Sequence, residues 1–491
     1  MVGDYHIMLL SAGVALAVGC PIAVTDHDAA TAADGGVADA NTPLPFELPE
    51  HCGQKSPKKI LALGAGDEAL VQPHPDGYLV TVTSATAEHS LHFADRCGDN
   101  SFLVAASLGV PLVTPGGQVL ARSCIDDDHG ALHLVDLQGP ATWQVVDGIR
   151  CYPMIATAAG VVLTRATPQA FVYDLLLLRA PLAAAQVPEV LTSLAYTWNL
   201  DVIPGCSKIL AITGDFELVA IDLATAIVTT LAADAIRFSI SPDGTALAWQ
   251  HLDGSIYLHP LGTDQHTKIT EAFTPLNPPY EILVWTPDSR YVYLFDDLSF
   301  ICSTLACGVW EAASATFYEA PDHVGAGGRT LSSDSALPDG SIWLRALPSS
   351  DVDHYHWFPA TDAQVPLFPA SLSRSYDDSF YAILPHAIAG VFRDSTMDRS
   401  GDLWIAPLDE SSAAYQVGSA VGIYLYPISD RALFAIAPDE RRSLEAIEME
   451  SGARFDIAEK VDVYPGPLVD GDAVVYVTTD IDPAVWVIGR P

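Results

Sequence analysis

Basic residues are scarce in this chain. Its 491 residues include 23 Lys and Arg against 61 Asp and Glu, a formal net charge of -38. A field of that sign repels phosphate backbones, so a nucleic-acid partner is excluded. Charged residues make up only 17% of the chain while apolar ones make up 49%, so a disordered polyelectrolyte is excluded as well and a large core is expected. Long apolar runs are missing beyond the N-terminus. The segment "LLLLRAPLAAAQVPEVL" comes nearest, and Arg179, Pro181 and Pro188 interrupt it well short of the roughly 18 to 20 residues that cross a bilayer. Helical periodicity is nearly absent, which argues against an α/β enzyme fold.

Familiar catalytic signatures are missing too. The chain has no Gly-x-Ser-x-Gly, no HExxH, no phosphate-binding glycine loop and no dinucleotide fingerprint. The best metal-like cluster is "DVDHYHW", where His354 and His356 fall on one face of a strand beside Asp351 and Asp353; a polar loop entering a strand explains it better. Asp126, Asp127 and Asp128 in "CIDDDHG" supply three carboxylates of the kind that hold calcium. Asp-rich turns before strands are common, however, and no bidentate Glu follows at the right spacing. No cofactor is therefore expected, with calcium the one candidate. Nine tryptophans, from Trp143 to Trp486, suggest a carbohydrate platform at first sight, but their spread among strands fits core packing better.

What is present begins with residues 1–20, "MVGDYHIMLLSAGVALAVGC", in which Ile7 to Gly19 form an apolar stretch of signal-peptide length. Val18 and Gly19 just before Cys20 resemble the lipobox of bacterial lipoproteins. That resemblance implies lipid attachment at Cys20 and a location at the bacterial outer membrane or in the periplasm; the alternative is an ordinary secretory signal cleaved downstream. Residues 21–55, rich in Ala, Asp, Thr, Gly and Pro, bury too little to offset their ordering entropy and read as a disordered tether. Seven further cysteines suit an oxidising compartment. Cys302 with Cys307, and Cys124 with Cys151, are candidate disulfides; Cys52 with Cys97 would pin the start of the folded region, leaving one thiol free.

From residue 56 onward one unit recurs. "SPDGTALAWQHLDGSIYLHPL" at 241–261 and "LVWTPDSRYVYLFDD" at 283–297 carry prolines 45 residues apart, Pro242 and Pro287. Looser copies include "VQPHPDGYLVTV" at 71–82, and closing strands that end in Asp-Leu or Pro-Leu recur at 130–137, 216–223 and 401–408. Pro fixes φ for a turn, Asp bonds its own backbone and Gly supplies positive φ, so the turn reverses the chain without strain. Between turns Ala246, Ala248 and Gln250 alternate with Leu247, Trp249 and His251, the period of a strand. A sheet of about 40 to 45 residues cannot bury both faces alone, so copies must stack.

The "SPDGTALAW" phrasing resembles the WD-repeat-like propellers of TolB type. The resulting expectation is an all-β chain, with one β-propeller of seven or eight four-stranded blades over 56–491, its N- and C-terminal strands paired. Two functions follow. The first is a non-catalytic, monomeric binding scaffold for an envelope protein, peptide or glycan, touching the membrane only through its lipid. The alternative is a lactonase- or glycosidase-like propeller hydrolase with a carboxylate-lined, cation-dependent channel site. Exposed aromatics on a rim would favour the scaffold.

Overall fold

The computed structural model describes residue 53 and residues 56–489, except 125–128, 138–140, 152, 170–171, 195–199, 205–207, 271–280, 297–307, 320–328, 331–336, 338–340, 347–352, 370–371, 373–378, 394–399, 410–412, 430–431, 438–441, 464–465, 472 and 480–481. Within those residues the chain is all-β and forms a β-propeller of ten four-stranded blades, nine of them meanders of four consecutive strands. Seven or eight blades are therefore too few. The recognisable strand endings each mark a whole blade, and several blades lack the Pro-Asp signature. In the third, for instance, Met154–Thr157 and Gly160–Ala166 are joined through Ala158 and Ala159.

The blades fall into two compact units. The first spans Asp67–Ala235 and holds four blades, beginning with Glu68–His74, Gly77–Thr83, His89–Asp95 and Ser101–Ala106. The second blade consists of Leu112–Val113, Val119–Cys124, Gly130–Asp136 and Ala141–Ile149. The second unit comprises Ile236–Pro491 together with the segment leading to Gly66, and holds six blades. In its last blade Lys58–Ala62 pairs antiparallel with Ala484–Gly489, so the first and last strands of the described chain share one sheet.

Side-chain alternation explains the stacking in the first unit. Along Gly160–Ala166, Val161 and Leu163 face the apolar cluster shared with the second blade, while Val162 faces the one shared with the fourth. The partner strand Tyr173–Arg179 does the same: Leu176 and Leu178 point one way, Leu175 and Leu177 the other. Both faces of the sheet are buried, and the four consecutive leucines that come nearest to a membrane span are a blade strand. No helix among the described residues is long and apolar enough to cross a membrane. Each fully buried Leu or Val contributes on the order of 1.5–3 kcal/mol, which is why a strand buried on both faces reads as a continuous apolar run.

The Ser-Pro-Asp-Gly turn joins blades as well as strands in the second unit. Ser241 Oγ donates to Asp243 Oδ1 at 2.7 Å and accepts from Ala246 N at 2.9 Å, while Asp243 N donates to Ser289 Oγ in the next blade at 2.9 Å. Thr286, Asp288 and Tyr291 repeat the local pattern at 2.6 and 2.9 Å. The Asp-Leu endings, read from sequence as closing strands, sit on third strands instead. There Asp222 Oδ1 accepts from Ala224 N, Thr225 N and Thr225 Oγ1, turning the chain into the fourth strand Val228–Ala232. In eight of the ten blades the pairing onto the outermost strand slips register. Bulges there twist the free edge and discourage edge-to-edge association.

Candidate functional site

Two concave sites among the described residues combine an aromatic ring with charged groups, one in each unit. The first, about 330 Å³, lies where turns of the first and second blades meet. The Pro75-Asp76 hairpin supplies one wall: His74 pairs with Gly77, where a Cβ would stand 2.2 Å from the Ala94 carbonyl oxygen, so only glycine fits. Gly117 and Gln118, on the turn into Val119–Cys124, supply another. Leu134, Asp136 and Leu137 at the end of Gly130–Asp136, with Trp143 on the outermost strand, complete it.

Chemistry distinguishes the lining residues. His74 is buried, and its Nδ1 accepts from Asp76 N at 3.2 Å, which leaves the proton on Nε2. Burial lowers its pKa below the ordinary 6.5, against the nearby Asp76 charge and the Gly117 backbone, which raise it. The ring is therefore neutral at pH 7. Gln118 is committed elsewhere: its amide donates to the Leu182 carbonyl at 3.3 Å and accepts from Leu182 N at 3.1 Å. Asp76 is exposed and Asp136 half-buried. Trp143 is 43% exposed, whereas Trp249, Trp285, Trp310, Trp343 and Trp357 are buried. The expectation that tryptophans serve the core therefore holds for those five and fails at Trp143.

In the second unit a site of about 380 Å³ is lined by Lys460, Tyr476, Thr478, Asp482 and Trp486, among others. Here the chain has already used the ring and the charge. Lys59 Nζ lies 2.6 and 2.7 Å from the two Asp482 carboxylate oxygens and 5.2 Å over the Trp486 ring, whose Nε1 donates to Thr478 Oγ1 at 2.9 Å. Burial raises the Tyr476 hydroxyl above its ordinary pKa of 10.0. This arrangement latches the first strand into the last blade.

The remaining residues singled out from sequence do not gather into a site. His354 and His356 lie on one strand, both buried. Trp343 Nε1 donates to His354 Nδ1 at 3.2 Å, His354 Nε2 bonds the Tyr381 hydroxyl of the next blade at 2.7 Å, and His356 Nε2 bonds Ser341 Oγ. The His354 ring fastens its blade to the next, while the His356–Ser341 bond lies within one blade. No group of three metal-ligating side chains occurs among the described residues. Cys124 and Cys151 form a disulfide, with Cα atoms 6.1 Å apart, and Cys97 is disulfide-bonded too. Cys20, Cys52, Cys206, Cys302, Cys307, Asp126, Asp127, Asp128 and Asp351 lie outside the described residues, as does the tether apart from residue 53.

The first two blades carry a pH dependence that follows from three histidines. His74, His92 and His133 all have pKa values lowered from 6.5 by burial. Below about pH 6.5 the unfolded chain binds protons there that the folded chain does not, so stability falls as pH drops through that value toward the lower folded ones. The first unit's melting temperature should decline between pH 7 and pH 5. A flat melting temperature over that window would contradict the burial of these rings.

No protein-family model matches the chain, and no curated protein matches its sequence. Solved structures similar to it include dipeptidyl peptidase 4 from Porphyromonas gingivalis, at 13% identity and TM-score 0.41, covering 69% of this chain and 57% of that one. An oligogalacturonate lyase from Vibrio parahaemolyticus matches at 12% identity and TM-score 0.34, covering 88% and 99%. TolB from Acinetobacter baumannii matches at 12% and 0.26, covering 68% and 82%. The chain thus spans 57% of the peptidase's length. A likeness this distant does not extend to activity.

Proposed function

We propose that the protein is an exported, lipid-anchored propeller that serves as a binding scaffold for a protein, peptide or glycan of the cell envelope. Cys20 would carry the lipid and residues 21–55 would hold the blades away from the membrane. The observation that carries the binding role is Trp143, exposed on an outermost strand at the mouth of a cleft. A tryptophan left in water while five others are buried forgoes the burial of a large apolar ring, and such rings are what binding surfaces spend on partners. Its neighbours, two carboxylates and a neutral imidazole, suit recognition by hydrogen bonds and charge.

The test is affinity capture from envelope extract on the full chain and on Trp143→Ala. The scaffold reading expects a retained component that the variant retains at least severalfold less, a loss in line with the 2 kcal/mol or more typical of a central aromatic contact. Equal retention by both chains counts against it. Turnover of lactones or glycosides by the full chain would move the reading to the hydrolase.

A further inference from the structure

We propose that the Cys124–Cys151 bond is a thiol-exchange site, at which the thiolate of a dithiol attacks the Cys124 sulfur of the folded chain and Cys151 leaves. Such exchange goes beyond the scaffold reading and stands without it. The two cysteines are unequally covered. Cys124, the last residue of Val119–Cys124, is exposed, whereas Cys151 is 2% exposed. Gly130 packs so closely against the Cys151 sulfur that a Cβ on it would stand 2.9 Å away. A nucleophile arriving from solvent therefore meets Cys124 first.

The backbone around Cys124 is lightly held. On one side Leu112–Val113 pairs only with Leu120 and Val119, so its ladder stops well short of Cys124. On the other side Gly130 pairs with Cys124, and the next pairing outward slips between Gly130 and Ala131, beside the same bond. A bulge disrupts its ladder locally, which eases the small displacement that a mixed disulfide needs. Buried Arg122 donates from its guanidinium to the Cys151 carbonyl and so keeps a positive charge beside the residue that departs as a thiolate.

In the first step a sulfur–sulfur bond forms between the attacking thiolate and Cys124 as the Cys124–Cys151 bond breaks, and Cys151 takes the electron pair. The dithiol's second sulfur, deprotonated by solvent, then attacks the first, and Cys124 leaves as a thiolate. The dithiol ends as a disulfide, its two electrons are on the two cysteines, and the protons lost to solvent balance those the cysteines take up. The fold holds Cys124 and Cys151 together, so a monothiol is expelled again, while a dithiol closes on itself and completes the exchange.

The experiment treats the oxidised, detergent-solubilised full chain with dithiothreitol, alkylates the products and maps each cysteine by mass spectrometry. The proposal expects Cys124 and Cys151 to open together, at a rate proportional to dithiothreitol and unchanged within about twofold by urea below the unfolding transition. A rate that climbs steeply with such urea would mean that the bond opens only on unfolding, and would overturn the proposal. Two variants test which sulfur is met. With oxidised glutathione as the probe, Cys151→Ser should form the adduct at Cys124 about tenfold faster or more than Cys124→Ser forms it at Cys151, as accessible thiols outpace covered ones. Equal rates, or the reverse order, would also overturn it. Melting temperatures of both variants are measured first, and should either fail to fold, the urea dependence of the parent chain decides.

Discussion

Trp357→Ala should lower the unfolding free energy by about 3–5 kcal/mol, the largest single-substitution loss expected in this chain. Trp357 is fully buried and packs with Tyr291, Val309 and Ile342, which joins the third strand of one blade to its neighbour in the second unit. Its indole Nε1 has no hydrogen-bond partner, so the cost is one of packing: lost transfer energy plus the cavity left behind. Trp357→Phe keeps part of that volume and should cost clearly less. Trp143→Ala, by contrast, should change stability by no more than about 0.5 kcal/mol, because an exposed ring contributes little to folding. Denaturant unfolding of the three variants checks the ordering. A Trp143→Ala loss as large as that of Trp357→Ala would mean that Trp143 is core and the cleft is misread.

Removing the Cys124–Cys151 disulfide should cost about 3–4 kcal/mol. The bond closes a loop with a sequence separation of 27 residues, and the loop-closure entropy of the unfolded chain grows with the logarithm of that length. Geometry adds a local reason. Cys124 ends the second strand of its blade and Cys151 follows the fourth, so the bond ties the outermost strand, and Trp143 with it, to the blade's interior. Arg122 strengthens the corner by donating from its guanidinium to the Cys151 carbonyl. The Cys124→Ala/Cys151→Ala double variant should therefore melt earlier than the parent under oxidising conditions and at nearly the same temperature as the reduced parent, provided that the remaining cysteine pairs are accounted for by mass spectrometry. Identical melting of oxidised parent and variant would contradict the argument.

The blade unit was legible because its turns are written in local chemistry. Ser241, Pro242, Asp243 and Gly244 need only their own side chains to announce a hairpin, and alternation around Trp249 announces a strand. What local chemistry does not announce is number. Ala158 and Ala159 turn the chain in the third blade as effectively as Pro75 and Asp76 do in the first, because stacking on both sides holds the strands whatever the turn contains. Blades with such turns are invisible to a search for Pro-Asp, hence the undercount. Asp222 shows a related limit. Its Asp-Leu pair reads as an ending, yet the carboxylate caps a turn into another strand, and the fourth strand "VTTLA" is too polar to stand out in the sequence.

The site was less legible, for a physical reason. Tryptophans in strands are mostly core, and five of them here obey that rule. Trp143 breaks it because its strand is the outermost of its blade and is flanked by polar Thr142 and Gln144, both exposed. That flanking is a signal a sequence reader can use. The convergence of His74, Asp136 and Trp143 is not, since it depends on how two blades stack. His354 and His356 make a metal-like pattern on one strand face, and in the fold they bond Trp343, Tyr381 and Ser341.

The most direct test of the account is solvent footprinting of Trp143. The full chain is oxidised by hydroxyl radicals with and without envelope extract, and modification at Trp143 is compared with that at exposed Tyr415 and Phe455 on outer strands of the second unit. The scaffold account predicts that extract protects Trp143 severalfold more than those two residues. Modification of Trp143 that extract leaves unchanged, or lowers equally at all three residues, would contradict it.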